Sequence, residues 1–594
     1  MFAVVAFFSI YAGCGTDAPA GTTAVLTSSG LTTNGLPQDV LQSCTISQSE
    51  FNSWFTTGQA SENGQVIPAN SVTFGHNNNC DFYKWSWQMF SWMVSPVSGN
   101  QYTSGNTVIE SPLFYTVSAP DSVGTNVERI LIPHEKGKVL QVMQSISQKG
   151  PNKLQMIRDK QGNMFEVQPH TPTVKPMLLS GAQVHTVELD AAGKPVFKDK
   201  AGKALINPKA SIQNKVNPKS IVQEFKTTNG VSVFLSSAGK IVDSESGQAT
   251  ADALMAQNDS LVFYITMVND VYAFYLSGVK NQLISGAEFP TTAQQRDSIC
   301  AIARANGKTL PDSNALAIEI KSSWVEAVNL PNPVESYITI EAFVPTYNKS
   351  NPNSWMVNGQ RKATLALLGM HVVGSVAGHP EMVWATFEHQ RNAPNAAYQY
   401  LNAQKAVTTV PADNSGKWML TSNPSDPKPN VSHIAVPKNT NNLTGKNGFA
   451  ISASNTALVF PWGSQMNVSP NAEDGSSAAS NSEVISINNG VFGWLVGNDV
   501  RKNYLLIGAT WTNGGAAPNG VTYSADTNNP KQAGDAIGTS LLANSTMETY
   551  FQTSATTCFT CHSGQTPGLL PSDLSHVYGE LQPIPNFKIF PGKK

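Results

Sequence analysis

The sequence predicts an α+β fold: β-rich, hairpin-built sheets with several packed helices and a short C-terminal helical segment. Three observations lead there. Gly-containing turn signals recur between alternating apolar runs over residues 105–245, the pattern of β-hairpins. Apolar residues at helical spacing mark residues 81–96 and much of 251–330. Only 13% of residues are charged, about half the ~25% usual in globular chains. Asn, Ser, Thr and Gly fill the difference, as in loop-rich exported proteins. The 594 residues, 40% of them hydrophobic, suffice for a sizeable core and several domain-sized units. A net charge of −2 gives no electrostatic basis for nucleic-acid binding.

The chain divides into five stretches. Residues 1–14 begin MFAVVAFFSIYAGC, an apolar run too short to span a membrane but suited to the core of an export signal. Tyr11-Ala12-Gly13-Cys14 resembles a bacterial lipobox, which implies lipid modification of Cys14 and a membrane anchor. Residues 15–38 are small and polar, as a tether is. Residues 39–250 form a β-rich region with an N-terminal buried helix, 251–535 a mixed region, and 536–594 the C-terminal helical segment.

Within the first region, DFYKWSWQMFSWMVSP (81–96) carries Phe82, Trp85, Met89 and Met93 at i, i+3, i+7 and i+11, with Trp87, Phe90 and Trp92 beside them. This is a helix buried nearly all round, and its tryptophans read as core. Hairpin turns follow at Asp159, Asp190, Asp199 and Ser237, between the runs VHTVEL, KPVFKD and VSVFLSS. The same stretch holds Lys194, Lys198, Lys200, Lys203, Lys209, Lys215, Lys219 and Lys226 against Asp199 and Glu224. These lysines read first as a solvated surface that blunts sheet edges, and second as a face that steers an acidic partner. ATADALMAQ, TTAQQRDSICAIARA and LAIEIKSSWVEAV read as helices. SYITIEAFVP, ATLALLGMHVVGSV, EMVWATFEH, EVISINNGVFGWLV and NYLLIGATW read as strands. Residues 413–447, 472–482 and 512–535 are loop-like, and GTSLLANSTMETYFQ (538–552) reads as a short helix.

Six cysteines and ten histidines carry the chemistry. Cys44 and Cys80 are the expected disulfide, being nearest in sequence and both in polar segments, and Cys300 is expected as a buried thiol on a helix. His371, His379 and His389 fall within 19 residues, with Glu381 and Glu388 among them. Imidazole with carboxylate suits a metal, a distal pocket or acid–base work, although no HExxH or EF-hand spacing is present. Hydrogen-bonded core histidines are the alternative.

The strongest signal is CFTCH: Cys558, Cys561 and His562. A chance match to Cys-x-x-Cys-His is expected roughly 0.001 times in a chain of this composition. The run resembles the attachment motif of c-type cytochromes, over these five residues and their near surroundings. The resemblance implies one covalent haem c, thioether-linked through Cys558 and Cys561, with His562 as the proximal iron ligand. A zinc site or a thioredoxin-like pair would need a fourth ligand or a βαβ setting. Only 32 residues follow His562, so the remaining pocket walls are expected from upstream chain. His576, in LPSDLSHVYGELQ, is one candidate for the sixth iron ligand and Met547 another. A distant ligand or an open position stays possible. The function implied is single-electron transfer by an exported, lipid-anchored monohaem protein, in the periplasm or on the outer surface of a bacterium, with a redox partner protein. A haem oxidoreductase with an open iron, or a surface binding protein with accessory haem, are the alternatives.

Overall fold

The structure, a computed structural model, describes residues 24–25, 30–97, 106–120, 128–135, 140–142, 150, 152–158, 164–168, 184–190, 194–205, 209–210, 212, 218–226, 232–242, 252–436, 442–446, 450–463, 477–518, 532–539, 541–552, 557–562 and 568–588. Cys14, Lys215 and the turn at Asp159 lie outside them. The fold is α+β. A largely antiparallel sheet of 13 strands runs through it. Its principal strands are β1 (Phe114–Val117), β2 (Phe263–Asn269), β3 (Ile318–Glu326), β4 (Thr339–Asn351), β5 (Ser354–Val376), β6 (His379–His389) and β7 (Tyr504–Thr512). They pair in the order β1-β2-β3-β5-β6-β7, and β4 pairs with the N-terminal half of β5. The helices are α1 (Gln48–Ser53), α2 (Asn79–Met93), α3 (Asp270–Lys280), α4 (Ala293–Ala305), α5 (Ser477–Trp494), α6 (Cys558–Cys561) and α7 (Pro571–Leu574).

The two faces of the sheet do different work, because side chains alternate along a strand. On β3, Ile318, Ile320 and Trp324 enter the large core beside α2 and α5, whereas Glu319, Lys321 and Ser323 point to the opposite face. LAIEIKSSWVEAV is therefore a strand, not the expected helix: period-2 burial decides over its weak helical spacing. ATADALMAQ is also not helical. Asp252–Ala253 pairs with Ile434–Ala435, and the chain turns back at Asp259, whose φ is +61°. EVISINNGVFGWLV is the converse, a predicted strand that forms the second half of α5. Asn488 donates to the Leu506 carbonyl at 2.9 Å and accepts the Leu506 N–H at 3.0 Å. That exchange fixes α5 on β7.

The predicted aromatic helix is α2. Asn78 caps it by accepting the Asp81 N–H, and ten of its side chains are buried. Phe90 stacks on Phe387 of β6 at 4.2 Å, and Phe82 stacks on Trp511 of β7 at 3.9 Å. Burial of each such aromatic stabilises by about 4–6 kcal/mol as an upper estimate. Cys44 and Cys80 form the expected disulfide, which ties the first turn of α2 to the bend ahead of α1. With a sequence separation of 36, loop closure contributes roughly 3–4 kcal/mol. Cys300 is a free, half-buried thiol on α4.

The lysine-bearing hairpins form a smaller body with cores of their own. Gln155–Arg158, Met164–Gln168, Ile221–Lys226, Ser232–Ser236 and Ile241–Val242 make one sheet, and Thr186–Leu189 pairs with Pro195–Lys198. Phe197 packs on Phe225, and Ile157, Val222 and Phe234 form a second cluster. Lys194, Lys200, Lys203 and Lys219 are exposed, while Lys198 pairs with Glu188. The division expected at residue 250 does not follow the sheet, since β1 from the first region pairs with β2 from the second.

Candidate haem-attachment site

The outward face of β3, β5 and β6 forms the floor. Lys321 of β3, His371 of β5 and Thr386 of β6 lie opposite one another across the three strands, so their side chains share a face. Over this floor runs the segment 541–552. The sequence predicts a helix there, but the residues form successive turns, because polar side chains take up the backbone groups. Asn544 accepts the Thr546 N–H and donates to Thr386 Oγ1 at 2.9 Å. Ser545 donates both its N–H and its hydroxyl to buried Glu388. Gly369 makes this contact possible: a Cβ there would lie 2.6 Å from Asn544 Nδ2. Glu548 ends the tie by accepting from His371 Nε2 at 3.0 Å and from the Asn544 N–H at 2.9 Å.

The Cys-x-x-Cys-His turn follows. Thr557 caps the four-residue helix α6 in a reciprocal capping box with Thr560. Phe559 is 1% exposed and packs edge-on against Trp384 of β6 at 5.9 Å. Burying Phe559 turns Cys558, Cys561 and His562 toward the less buried side, and both thiols are unpaired. His562 lies over Trp384, with ring centres 4.4 Å apart. Its Nδ1 donates to the Leu574 carbonyl at 2.7 Å. That bond fixes the tautomer and leaves Nε2 as the lone-pair nitrogen, the arrangement of a metal-ligating histidine.

Burial pushes His562 down to about 3, helped by Lys321 and His371, so the ring is neutral and ligand-ready at ordinary pH. Burial raises both thiols, Cys561 to about 12, with Glu166 adding to the effect on Cys561 and Glu548 to that on Cys558. Such thiols are protonated at neutral pH. They lack the thiolate character of a redox-active Cys-x-x-Cys pair. Glu548 is half-buried, and His371 and Lys321 hold it below the ordinary carboxylate range. The chain beyond the turn is clamped to the body: Tyr272 of α3 bonds Ser575 at 3.2 Å, and Arg129 bonds Glu580 at 2.6 Å.

Of the residues expected in a site, the structure gathers some and disperses others. His576 sits just beyond the four-residue α7 and stacks flat on His562, with ring centres 4.0 Å apart and planes 14° apart. Its Nε2 donates to the Cys561 carbonyl. Here His576 lies alongside His562, not across from it. Met547 packs with Leu254, Tyr264 and Leu420 in an apolar cluster. The histidine cluster splits three ways. His371 bonds Glu548 on the segment ahead of the Cys-x-x-Cys-His turn, His379 pairs with Glu381 near α2, and His389 is buried against Tyr337 at 4.1 Å. Burial pushes His389 down to about 3, as for a neutral core histidine. Lys321, Trp384, Glu548 and Glu166 were not anticipated. A lone lysine inside the apolar run AIEIKSSW was the one available signal.

Among the described residues, no group of three or more His, Cys, Asp or Glu is disposed to hold a metal ion, and no helix is long and apolar enough to cross a membrane. No protein-family model, curated protein or solved structure matches the chain.

Proposed function

We propose that this is an exported monohaem c-type protein that transfers single electrons, with the cofactor held by Cys558, Cys561 and His562. One observation carries the reading. His562 donates Nδ1 to Leu574 and so presents Nε2 beside two unpaired thiols. A haem bound there supplies a one-electron couple whose potential is set by its axial ligands and surroundings. Phe559 anchors the turn, Leu574 orients the imidazole, and Trp384 and His576 wall its two sides. The Cys44–Cys80 disulfide supports an oxidising, extracytoplasmic compartment. The Cys14 lipobox would add a lipid anchor, and the exposed lysines of the hairpin body a docking face for an acidic redox partner.

A haem oxidoreductase is the second reading, and His371 with Glu548 favours it. An imidazole hydrogen-bonded to an ionised carboxylate beside the attachment turn can hold or move a proton. Optical spectra of the purified holoprotein with and without carbon monoxide separate the two. A carrier with both iron positions filled leaves its reduced spectrum unchanged, and a shifted band sinks that reading in favour of the oxidoreductase.

A further inference from the structure

We propose that His76 and His379 form a second metal site, independent of the haem turn, which takes a borderline divalent ion such as zinc. His76 precedes α2, and His379 opens β6 just after the turn at Gly378, whose φ is +77°. The fold brings the two rings to 4.7 Å between centres, edge to face at 85°. Imidazoles that share one ion through nitrogens at ~2.0–2.1 Å, at tetrahedral or right angles, have centres about 4.5–5 Å apart. The observed spacing falls in that range. A Cβ built on Gly378 would stand 3.4 Å from His76 Cε1 and 3.8 Å from its Nε2, so this edge of His76 faces the turn that carries His379.

Glu381 supplies the second, independent observation. His379 Nδ1 donates to Glu381 Oε1 at 2.8 Å, and the Thr512 N–H donates to the same oxygen at 3.0 Å. Glu381 is 0% exposed, yet its other oxygen, Oε2, has no hydrogen-bond partner among the described residues. A buried carboxylate oxygen without a donor is costly. Positive charge delivered through the His379 ring offsets that cost, which is the logic of the carboxylate–histidine–metal relay. The same bond directs His379 Nε2 away from Glu381 and frees it as a ligand. Phe74 and Phe82 flank the pair with apolar rings, with Trp511 stacked on Phe82: Phe82 is 5.2 Å from His379, and Phe74 is 5.9 Å from His76. His76 is itself exposed, which gives an ion a way in and leaves its remaining positions to water.

Calorimetric titration of the full-length holoprotein with Zn²⁺ tests the site. The expected result is one saturable equivalent that His76→Ala removes. Because His76 is exposed, that variant should keep the wild-type melting curve. Glu381→Gln, which keeps the shape but not the charge, should weaken the same equivalent about 10–100-fold. The proposal is overturned if the wild type takes up no saturable zinc, or if His76→Ala binds as the wild type does. Full affinity in Glu381→Gln would overturn the relay.

Discussion

Replacing His562 with Ala should change both the oxidised and the reduced optical bands of the holoprotein while leaving the haem attached. Replacing Cys558 and Cys561 together with Ala should release it to acid extraction. The two variants separate ligation from covalent attachment, because Nε2 of His562 and the two thiols do different work in one turn. Neither change should unfold the protein. The thiols are half-buried and unpaired, and what anchors the turn is Phe559 against Trp384. Stability should fall by about 1 kcal/mol or less for each thiol, as for other sites outside the tightest core. Chemical melts of the variants check this. A large loss of stability in the double Cys variant would mean that the thiols hold the fold and not a cofactor.

The second large effect is a pH dependence of stability that comes from Asp270. This residue opens α3, where the helix dipole would ordinarily favour its charged form. Burial outweighs the dipole, and the nearby Asp312, bonded to Trp92 Nε1 at 3.1 Å, adds repulsion. The result is a carboxyl raised to about 8. The native state therefore keeps this proton up to about pH 8, whereas the unfolded chain releases it near pH 3.9. Between those limits the unfolded state binds fewer protons. Stability then falls as pH rises, by up to ~1.4 kcal/mol per unit, and levels off above pH 8. Asp270→Asn keeps a neutral side chain of the same shape and removes the slope. In urea melts at pH 5 and pH 8, the variant should gain on the wild type at the higher pH. Parallel behaviour of the two proteins would show that Asp270 is charged in the native state.

Much of the fold was legible from local pattern. The continuous aromatic burial of α2, the capped helix α4 and the Gly-turn hairpins each carry their signal within about 15 residues. What misled was tertiary context. Lys321 and Glu319 gave β3 a helix-like spacing, yet they sit on the polar face of a sheet whose other face is core. EVISINNGVFGWLV reads as a strand until the two bonds of Asn488 to Leu506 are seen. Residues 541–552 have the apolar spacing of a helix, but Asn544 and Ser545 bond across to Thr386 and Glu388, more than 150 positions away. The site divides in the same way. Cys558, Cys561 and His562 are adjacent in sequence and could be read directly. Leu574, Trp384, His371 and Glu548 join them only because the chain lies back across β5 and β6, and no periodicity records that. His371, His379 and His389 look like one cluster in sequence. On a strand pair they face three different environments.

The most direct measurement is the mass of the proteolytic peptide that contains Cys558 and Cys561, taken from the exported protein after denaturation and acid extraction. The account predicts a peptide heavier by one haem, with both sulfurs in thioether linkage. Recovery of two free thiols, or of a Cys558–Cys561 disulfide, would contradict it.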